Sequence, residues 1–325
     1  MGKASRTKQD SDRRARIAAQ REAQRRAEQR KRIYLAGGSI LVVAIVVVAL
    51  VLVKLNSGGG TAASSSNGPT GAALTAVTKQ VTNVPTSVTD KIAGGGVNKG
   101  VFVPTETSTQ VQNAAQQGSY FGTVSGTPLT SGGKPEVLYL GAEYCPFCAA
   151  QRWAMVNALS RFGTFTGLTT SHSSSTDSDP NTPTFTFYKS TYKSDYINFT
   201  PVEEETNFRQ GNSADTSVPY QTLQTPTADQ QKIAQTYDPT GSIPFIDLGN
   251  KYVQIGNLAP LDPSLLAGKT WSQVAAAMND PSSAIGKAEI GNANYMTAGI
   301  CKLTNNQPST ACTPAIQQLQ GDLAS

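Results

Sequence analysis

The chain has 325 residues, of which 38% are hydrophobic and 15% are charged, and its formal net charge is +5. This length is sufficient for one sizeable domain with appendages. The first 32 residues contain 12 of the 27 Lys and Arg residues but only 4 of the 22 Asp and Glu residues. The basic charge therefore belongs to an N-terminal tail. No phosphate-binding glycine loop, nucleotide fingerprint or Ser/His/Asp set accompanies it.

A transmembrane helix is predicted directly after the tail. Residues 33–53 form an uncharged apolar run of 21 residues, long enough to span about 30 Å of hydrocarbon. We assign the helix to residues 33–54, and the positive-inside rule places residues 1–32 in the cytoplasm. A cleaved signal peptide is the alternative, but this run is longer than a usual signal h-region. We therefore expect a single-pass protein of the cell membrane whose tail contacts anionic lipid rather than nucleic acid.

Residues 55–72, rich in Gly and Ser, are predicted to be a flexible linker to an extracytoplasmic domain at residues 73–325. Apolar residues at spacings of three and four begin this domain, and Pro85 argues against one unbroken helix. We interpret the stripe as a brace packed on the domain, with a dimerising or partner-binding helix as the alternative. A strand at 101–104 and a polar helix at 110–117 are expected next. The stripe comprises Leu74, Val77, Val81, Val84 and Val88.

Two cysteines lie at the junction of a predicted strand and a predicted helix. The apolar run Val137–Leu140 predicts a buried strand, and the stretch Ala149–Phe162 has helical periodicity. Pro146 suits the first helical turn, so Cys145 precedes the helix and Cys148 lies inside it. Cys145 is expected to face outward as the attacking thiol, and Cys148 to face inward and resolve the mixed disulfide.

The helix N-terminus should make Cys145 a moderate nucleophile. Its dipole favours a thiolate by at most about 2 kcal/mol, which lowers a thiol pKa by little more than one unit. A stronger effect would have to come from the middle pair Pro146–Phe147 or from neighbours distant in sequence. Glu143 would oppose it at close range.

A polar region follows the dithiol helix. A strand is predicted at 164–171 and a long polar loop at 173–180. Alternating residues at 184–187 and 196–199 predict a β-hairpin within an insertion of about residues 172–225. The acidic run at 203–205 is interpreted as a solvated face. Thr225-Pro226 is expected to cap a helix that ends near Tyr237.

A second informative stretch begins at Ser242. Residues 244–248 and 251–255 are apolar runs separated by Gly249-Asn250, which predicts a hairpin. Proline is poorly tolerated inside a central strand. Pro244 is therefore placed at the strand's start, with Ile243–Pro244 a candidate cis bond.

The Cys145-Pro146-Phe147-Cys148 motif together with Ile243-Pro244 resembles the thioredoxin-like superfamily. The resemblance implies an α/β fold with a mixed sheet flanked by helices, here carrying a β-hairpin and loop insertion and preceded by one transmembrane helix. It also implies that Pro244 packs against the dithiol and that the backbone at Ile243 docks substrate as an added strand. About a hundred residues separate dithiol and proline, more than the simplest pattern requires.

A narrower resemblance covers roughly residue 75 onward. The stretches 139–148, 173–177 and 182–187 are similar to the uncharacterised family called domain of unknown function 929. That resemblance implies no activity.

The C-terminal region holds the remaining cysteines. A last helix is predicted at Trp271–Met278, followed by an extension at about residues 281–325. Outside the membrane four cysteines suggest disulfides, and Cys301–Cys312 with Cys145–Cys148 is the local one of three connectivities. We expect Cys301–Cys312 to be structural; a relay that resets the first pair is the alternative.

These features predict a membrane-anchored thiol-disulfide oxidoreductase without a cofactor, acting on the thiols and disulfides of exported proteins and reset by a membrane redox partner. The motif suits an oxidant, a reductant or an isomerase. One alternative is a copper metallochaperone in which Cys145, Cys148 and His172, the only histidine, hold Cu(I). Another is a non-catalytic interaction domain with a static disulfide. A zinc site would need more ligands than lie nearby.

Overall fold

A computed structural model describes residues 68–94, 121–256 and 261–323. All of them belong to one compact unit. The predicted tail, the transmembrane segment at 33–54, most of the linker and the elements expected at 101–104 and 110–117 lie outside these residues. Within the described ranges, no helix has both the length and the apolar composition needed to cross a bilayer.

The described residues form a mixed α/β domain. The α-helices are α1 (Gly71–Thr82), α2 (Thr86–Ile92), α3 (Pro146–Ser160), α4 (Ala228–Tyr237), α5 (Trp271–Met278), α6 (Ala284–Leu303) and α7 (Pro314–Leu319). The strands are β1 (Gly122–Thr123), β2 (Thr130–Ser131), β3 (Lys134–Gly141), β4 (Gly163–Thr166), β5 (Thr169–His172), β6 (Pro183–Thr186), β7 (Thr191–Ser194), β8 (Asn198–Glu203), β9 (Glu205–Arg209), β10 (Tyr220–Thr222), β11 (Phe245–Leu248) and β12 (Tyr252–Ile255).

Strand β3 is the centre of the main sheet. It pairs parallel with β8 over Glu136–Gly141 and antiparallel with β11, so that Leu140 is opposite Phe245. Strand β11 continues into β12 through a hairpin, and β1 pairs with β12. The sheet is therefore mixed, and its central strand leads directly into the dithiol.

The two faces of this sheet bury different cores, because successive side chains of a strand point to opposite sides. Val137 and Tyr139 belong to the larger core, which contains residues of α3, α5 and α6. Leu138 and Leu140 belong to a smaller core with Tyr237 of α4. Helices thus flank the sheet on both faces.

Helix α3 is the most buried of the described helices, with 13 of its 15 residues buried. Helix α6 packs against it, and the side chain of Asn292 in α6 donates to the side-chain oxygen of Gln151 in α3 at 2.8 Å. Because nearly every face of α3 is buried, its apolar residues are not confined to one side of the helix. The predicted strand, the helix and the position of Cys145 immediately before it are confirmed.

Helices α1 and α2 form the predicted brace. Val77 and Val81 are buried in the larger core, and Leu74 packs against it. The chain breaks between the two helices at Pro85, which begins α2 as its N-cap. The interpretation of the apolar stripe as a brace is confirmed.

The hairpin predicted from 184–187 and 196–199 is wrong. Strand β6 pairs with β5, while residues 198–203 form β8 in the main sheet, parallel to β3. The predicted single strand at 164–171 is two strands, β4 and β5, with Gly167 at a φ of +74° between them. Alternation indicates a half-buried strand but does not identify its partner.

Most of the elements predicted after residue 225 are confirmed. The hairpin at Gly249-Asn250 is confirmed, and both residues have positive φ, at 62° and 57°. Helix α4 ends at Tyr237 as predicted, although its cap is Thr227. The helix Trp271–Met278 has the predicted bounds but is not the last, because α6 and α7 follow it.

Candidate functional site

The dithiol lies where β3 meets α3. Cys145 is the N-cap of α3, and its Sγ accepts a hydrogen bond of 3.3 Å from the backbone N–H of Cys148. Pro146 occupies the first helical turn, where a missing N–H leaves no bond unmade. The cap therefore directs the sulfur of Cys145 at the free N–H groups of the helix.

The Ile243–Pro244 peptide bond is cis, and it lies beside this sulfur. Pro244 immediately precedes β11, whose first residue pairs with Leu140 near the end of β3. The thiol of Cys145 donates to the carbonyl oxygen of Ile243 at 3.8 Å. Antiparallel pairing of β11 with β3 thus brings together two motifs that are 98 residues apart.

The expectation of an outward-facing sulfur needs correction. Cys145 is 6% exposed and Cys148 is fully buried, and both are free thiols. The segment at Ile243 covers Cys145, which sequence reasoning did not anticipate. Nevertheless, neither cysteine belongs to the two hydrophobic cores. Phe147, between them, is partly exposed.

The two thiols are electrostatically unequal. Burial raises the pKa of Cys145, but hydrogen bonds from the thiol and N–H of Cys148 and the charge of Arg152 outweigh it, so the pKa is lowered. The pKa of Cys148 is raised well above its ordinary value by burial and by its hydrogen bond and proximity to the Cys145 sulfur. A thiolate is therefore favoured at Cys145. The acidic side chain that opposes it is Asp177.

A buried ion pair lies behind the dithiol. Arg152 and Glu203 are both 0% exposed in their side chains and are joined by two hydrogen bonds of 2.8 and 2.6 Å. Arg152 also donates to the carbonyl of Ala142 at 2.8 Å, and Glu203 accepts the N–H of Phe187 at 3.2 Å. The pair thus connects α3, the turn before Cys145 and the end of β8.

Sequence reasoning missed this pair. The acidic run at 203–205 is not a solvated face, because Glu203 is fully buried and its two neighbours are half-buried. The available signal was an arginine four residues after Cys148, within an otherwise apolar helix. Arginine and glutamate are rarely fully buried unless they are paired.

Residues of the predicted insertion form a rim beside Cys145. The ring of Tyr144 stacks on that of Tyr220 with a centroid distance of 4.1 Å. The guanidinium of Arg209 lies 4.1 Å from the centroid of the Tyr220 ring. Arg209 also donates to the hydroxyl of Tyr220 at 3.0 Å. The N–H of Ser174 donates to the carbonyl of Tyr144 at 2.9 Å. Strands β9 and β10 and the polar loop therefore support the turn that holds the dithiol.

His172 ends β5. Its Nδ1 lies 2.8 Å from the carbonyl oxygen of Ser173 and 3.3 Å from the amide nitrogen of Asn207. Among residues 68–94, 121–256 and 261–323, no group of three His, Cys, Asp or Glu side chains is placed to hold a metal ion. The copper set with Cys145 and Cys148 stays a prediction.

Cys301 and Cys312 are joined by a disulfide between the C-terminal part of α6 and the loop before α7. Both cysteines are buried in the larger core, at 0% and 2% exposure. The bridge therefore fixes the loop before α7 to the C-terminal part of α6.

Comparison with known proteins identifies the family. The chain has a mixed α/β domain with a free dithiol at a helix start, and the model of the family described as Domain of unknown function (DUF929) matches residues 120–302. The protein belongs to this family. No curated protein matches the chain, and no solved structure does so either.

Proposed function

We propose that the protein is a membrane-anchored, thioredoxin-like thiol-disulfide oxidoreductase that acts on exported proteins. The order of elements supports a thioredoxin-like domain: β3, the dithiol helix α3, the parallel strand β8, helix α4, then a cis-proline and the antiparallel hairpin of β11 and β12. Helices α3 and α6 cover one face of the sheet, and α4 covers the other.

The observation that carries the proposal is the position of the Cys145 sulfur. It lies between the N–H of Cys148 and the carbonyl of Ile243, beside the cis-proline. The N–H stabilises a thiolate, and the backbone at Ile243 offers a docking edge for an extended substrate. The lowered pKa of Cys145 suits the attacking thiol, and the raised pKa of Cys148 suits the resolving thiol.

The reaction is an exchange of two electrons. The Cys145 thiolate attacks one sulfur of a client disulfide, forms a mixed disulfide and expels the other client sulfur as a thiolate. Cys148 loses its proton and attacks the Cys145 sulfur, which releases the second client thiolate. The client disulfide is then reduced, the 145–148 pair is oxidised, and a membrane redox partner restores it. The reverse sequence would oxidise client dithiols.

Mixed-disulfide trapping tests the proposal. Full-length Cys148→Ser should accumulate a covalent adduct with an insulin chain that dithiothreitol releases, because the resolving thiol is missing. Cys145→Ser should form none, and it should lose insulin reduction. Equal adducts with both variants, or none with either, would refute the assigned roles. The redox potential of the 145–148 couple then sets the direction, with about −120 mV indicating an oxidant and about −270 mV a reductant.

A further inference from the structure

A groove of about 370 Å³ lies next to the dithiol, on the sheet face opposite α3. Ile243 belongs to its wall, and the carbonyl of the same residue is 3.8 Å from the Cys145 sulfur. Leu140, Ala234 and Phe245 supply apolar walls. Through Ile243, the groove therefore borders the point where a client would be attached.

The two carboxylates that line the groove differ in their partners. Asp238 is 2% exposed and accepts the backbone N–H groups of Thr240 and Ser242, so it holds the loop before Ile243 in place. Glu204 makes backbone hydrogen bonds, among them its N–H to the carbonyl of Gly141 at 2.7 Å. Within the described residues its side chain has neither a hydrogen-bond donor nor a cation as a partner. Burial and the nearby Glu205 raise the pKa of Glu204, as expected for an uncompensated carboxylate.

We propose that this groove binds the client segment next to the reactive cysteine, and that Glu204 pairs with a lysine or arginine in that segment. The inference rests on the proposed oxidoreductase function and adds a substrate preference to it. A long basic side chain fits because its aliphatic stem packs on apolar walls while its charged end reaches a carboxylate.

The occupant is a client segment because Ile243 both lines the groove and accepts a hydrogen bond from the thiol of Cys145. With only 6% of Cys145 exposed, a client must approach along the few residues that border it, and Ile243 is one of these. A client chain joined to Cys145 and running past Ile243 would meet the groove that this residue lines. Charge complementarity then discriminates among clients more than it raises overall affinity.

Two peptides that differ at one side chain test the preference. Each carries a cysteine joined by a disulfide to 2-nitro-5-thiobenzoate, and one has lysine where the other has norleucine, three residues from the cysteine. The Cys145 thiolate of full-length Cys148→Ser attacks the peptide sulfur, forms a mixed disulfide and expels coloured thionitrobenzoate. The second-order rate constant for the lysine peptide should be about three to ten times that for the norleucine peptide. The ratio of the two rate constants should fall at high salt.

Substitutions in the same background assign the effect to one carboxylate. Glu204→Gln should reduce the lysine-to-norleucine ratio to about one, and Glu204→Lys should reverse it. Glu205→Gln is the matched control, since this neighbour does not line the groove, and it should preserve the ratio.

The outcomes separate the two proposals. Equal rates for both peptides, or a ratio that Glu204→Gln leaves unchanged, would overturn the groove assignment while leaving attack by Cys145 intact. Release of thionitrobenzoate no faster than with a Cys145→Ser/Cys148→Ser control would overturn both. If the lysine preference also disappears in Glu205→Gln, the preference arises from the combined negative charge of this region. That result would overturn the pairing with Glu204.

Discussion

Arg152 and Glu203 form a bidentate ion pair without solvent exposure, and Arg152 extends the same guanidinium to the carbonyl of Ala142, three residues before Cys145. Its remaining nitrogen, Nη1, is buried without a hydrogen-bond partner among the described residues. The charge of Arg152 helps to lower the pKa of Cys145, and it opposes the burial that raises the pKa of Cys148. We therefore regard Arg152 as a positioning residue that also tunes the dithiol.

Arg152→Met should raise the pKa of Cys145, because the stabilising positive charge is lost. Glu203→Gln should lower it, because the charge of Arg152 is then uncompensated. Each variant leaves a buried charge or polar group without its partner, at a cost of about 3–5 kcal/mol in unfolding free energy. The pH dependence of Cys145 alkylation measures the pKa, and urea denaturation measures the stability.

Arg152→Lys is the control, since it keeps the charge and loses the bidentate geometry, and it should keep most of the pKa effect. A purely structural role would shift the alkylation profile of Arg152→Met and Glu203→Gln in the same direction. Opposite shifts are the signature of electrostatic tuning.

The two cysteines should differ in reactivity toward iodoacetamide. In the reduced protein near pH 7, we expect modification of Cys145 and protection of Cys148, because only the pKa of Cys145 is lowered and Cys148 is fully buried. Cys148→Ala removes the thiol that donates to Cys145 and should raise the pKa of Cys145. Mass spectrometry of digested protein identifies the modified residue. Preferential modification of Cys148 would contradict this asymmetry.

Asp247 should make stability depend on pH. It is fully buried, and burial raises its pKa to about 7 from 3.8, although the N–H of Asn250 donates to its Oδ1 at 2.6 Å. The native state therefore holds a proton that the unfolded state loses, and stability falls as pH rises from 3.8 to about 7. At about 1.36 kcal/mol per pH unit, the loss is on the order of 4 kcal/mol.

Asp247→Asn retains an acceptor for Asn250 and cannot ionise, so it should lack this component. Urea denaturation of both proteins at pH 4 and pH 8 measures the difference. The variant should gain stability relative to the wild type as pH rises. Parallel pH profiles would show that Asp247 remains charged in the folded protein.

Removal of the Cys301–Cys312 disulfide should lower the stability of the protein and leave its thiol-disulfide exchange activity unchanged. The bridge closes a short loop, with a sequence separation of 11, so Cys301→Ala/Cys312→Ala should lose about 3 kcal/mol on the chain-entropy estimate. Because both sulfurs are buried in the core, the rate of insulin reduction at a temperature where the variant is folded should be unchanged. A large loss of catalytic turnover with intact attack by Cys145 would instead support the relay alternative.

Local signals in the sequence predicted the individual parts of the site. A short apolar run, a proline after the first cysteine and helical periodicity identified the strand, the cap position of Cys145 and the helix of Cys148. Gly249-Asn250 identified the hairpin, and its proline-marked start identified the cis bond at Ile243–Pro244. These features depend on residues close together in the chain.

Only the tertiary structure decided which strands pair and which charges are buried. The alternating pattern near residue 198 fits an insertion hairpin as well as a strand of the main sheet, and parallel pairing with β3 placed Glu203 beside Arg152. The partial cover over Cys145 by Ile243 likewise comes from a segment 98 residues away. The sequence by itself determined the reactive groups and their local backbone, because capping and periodicity act over a few residues. The environment of those groups required the folded chain, because burial and electrostatics depend on distance in space.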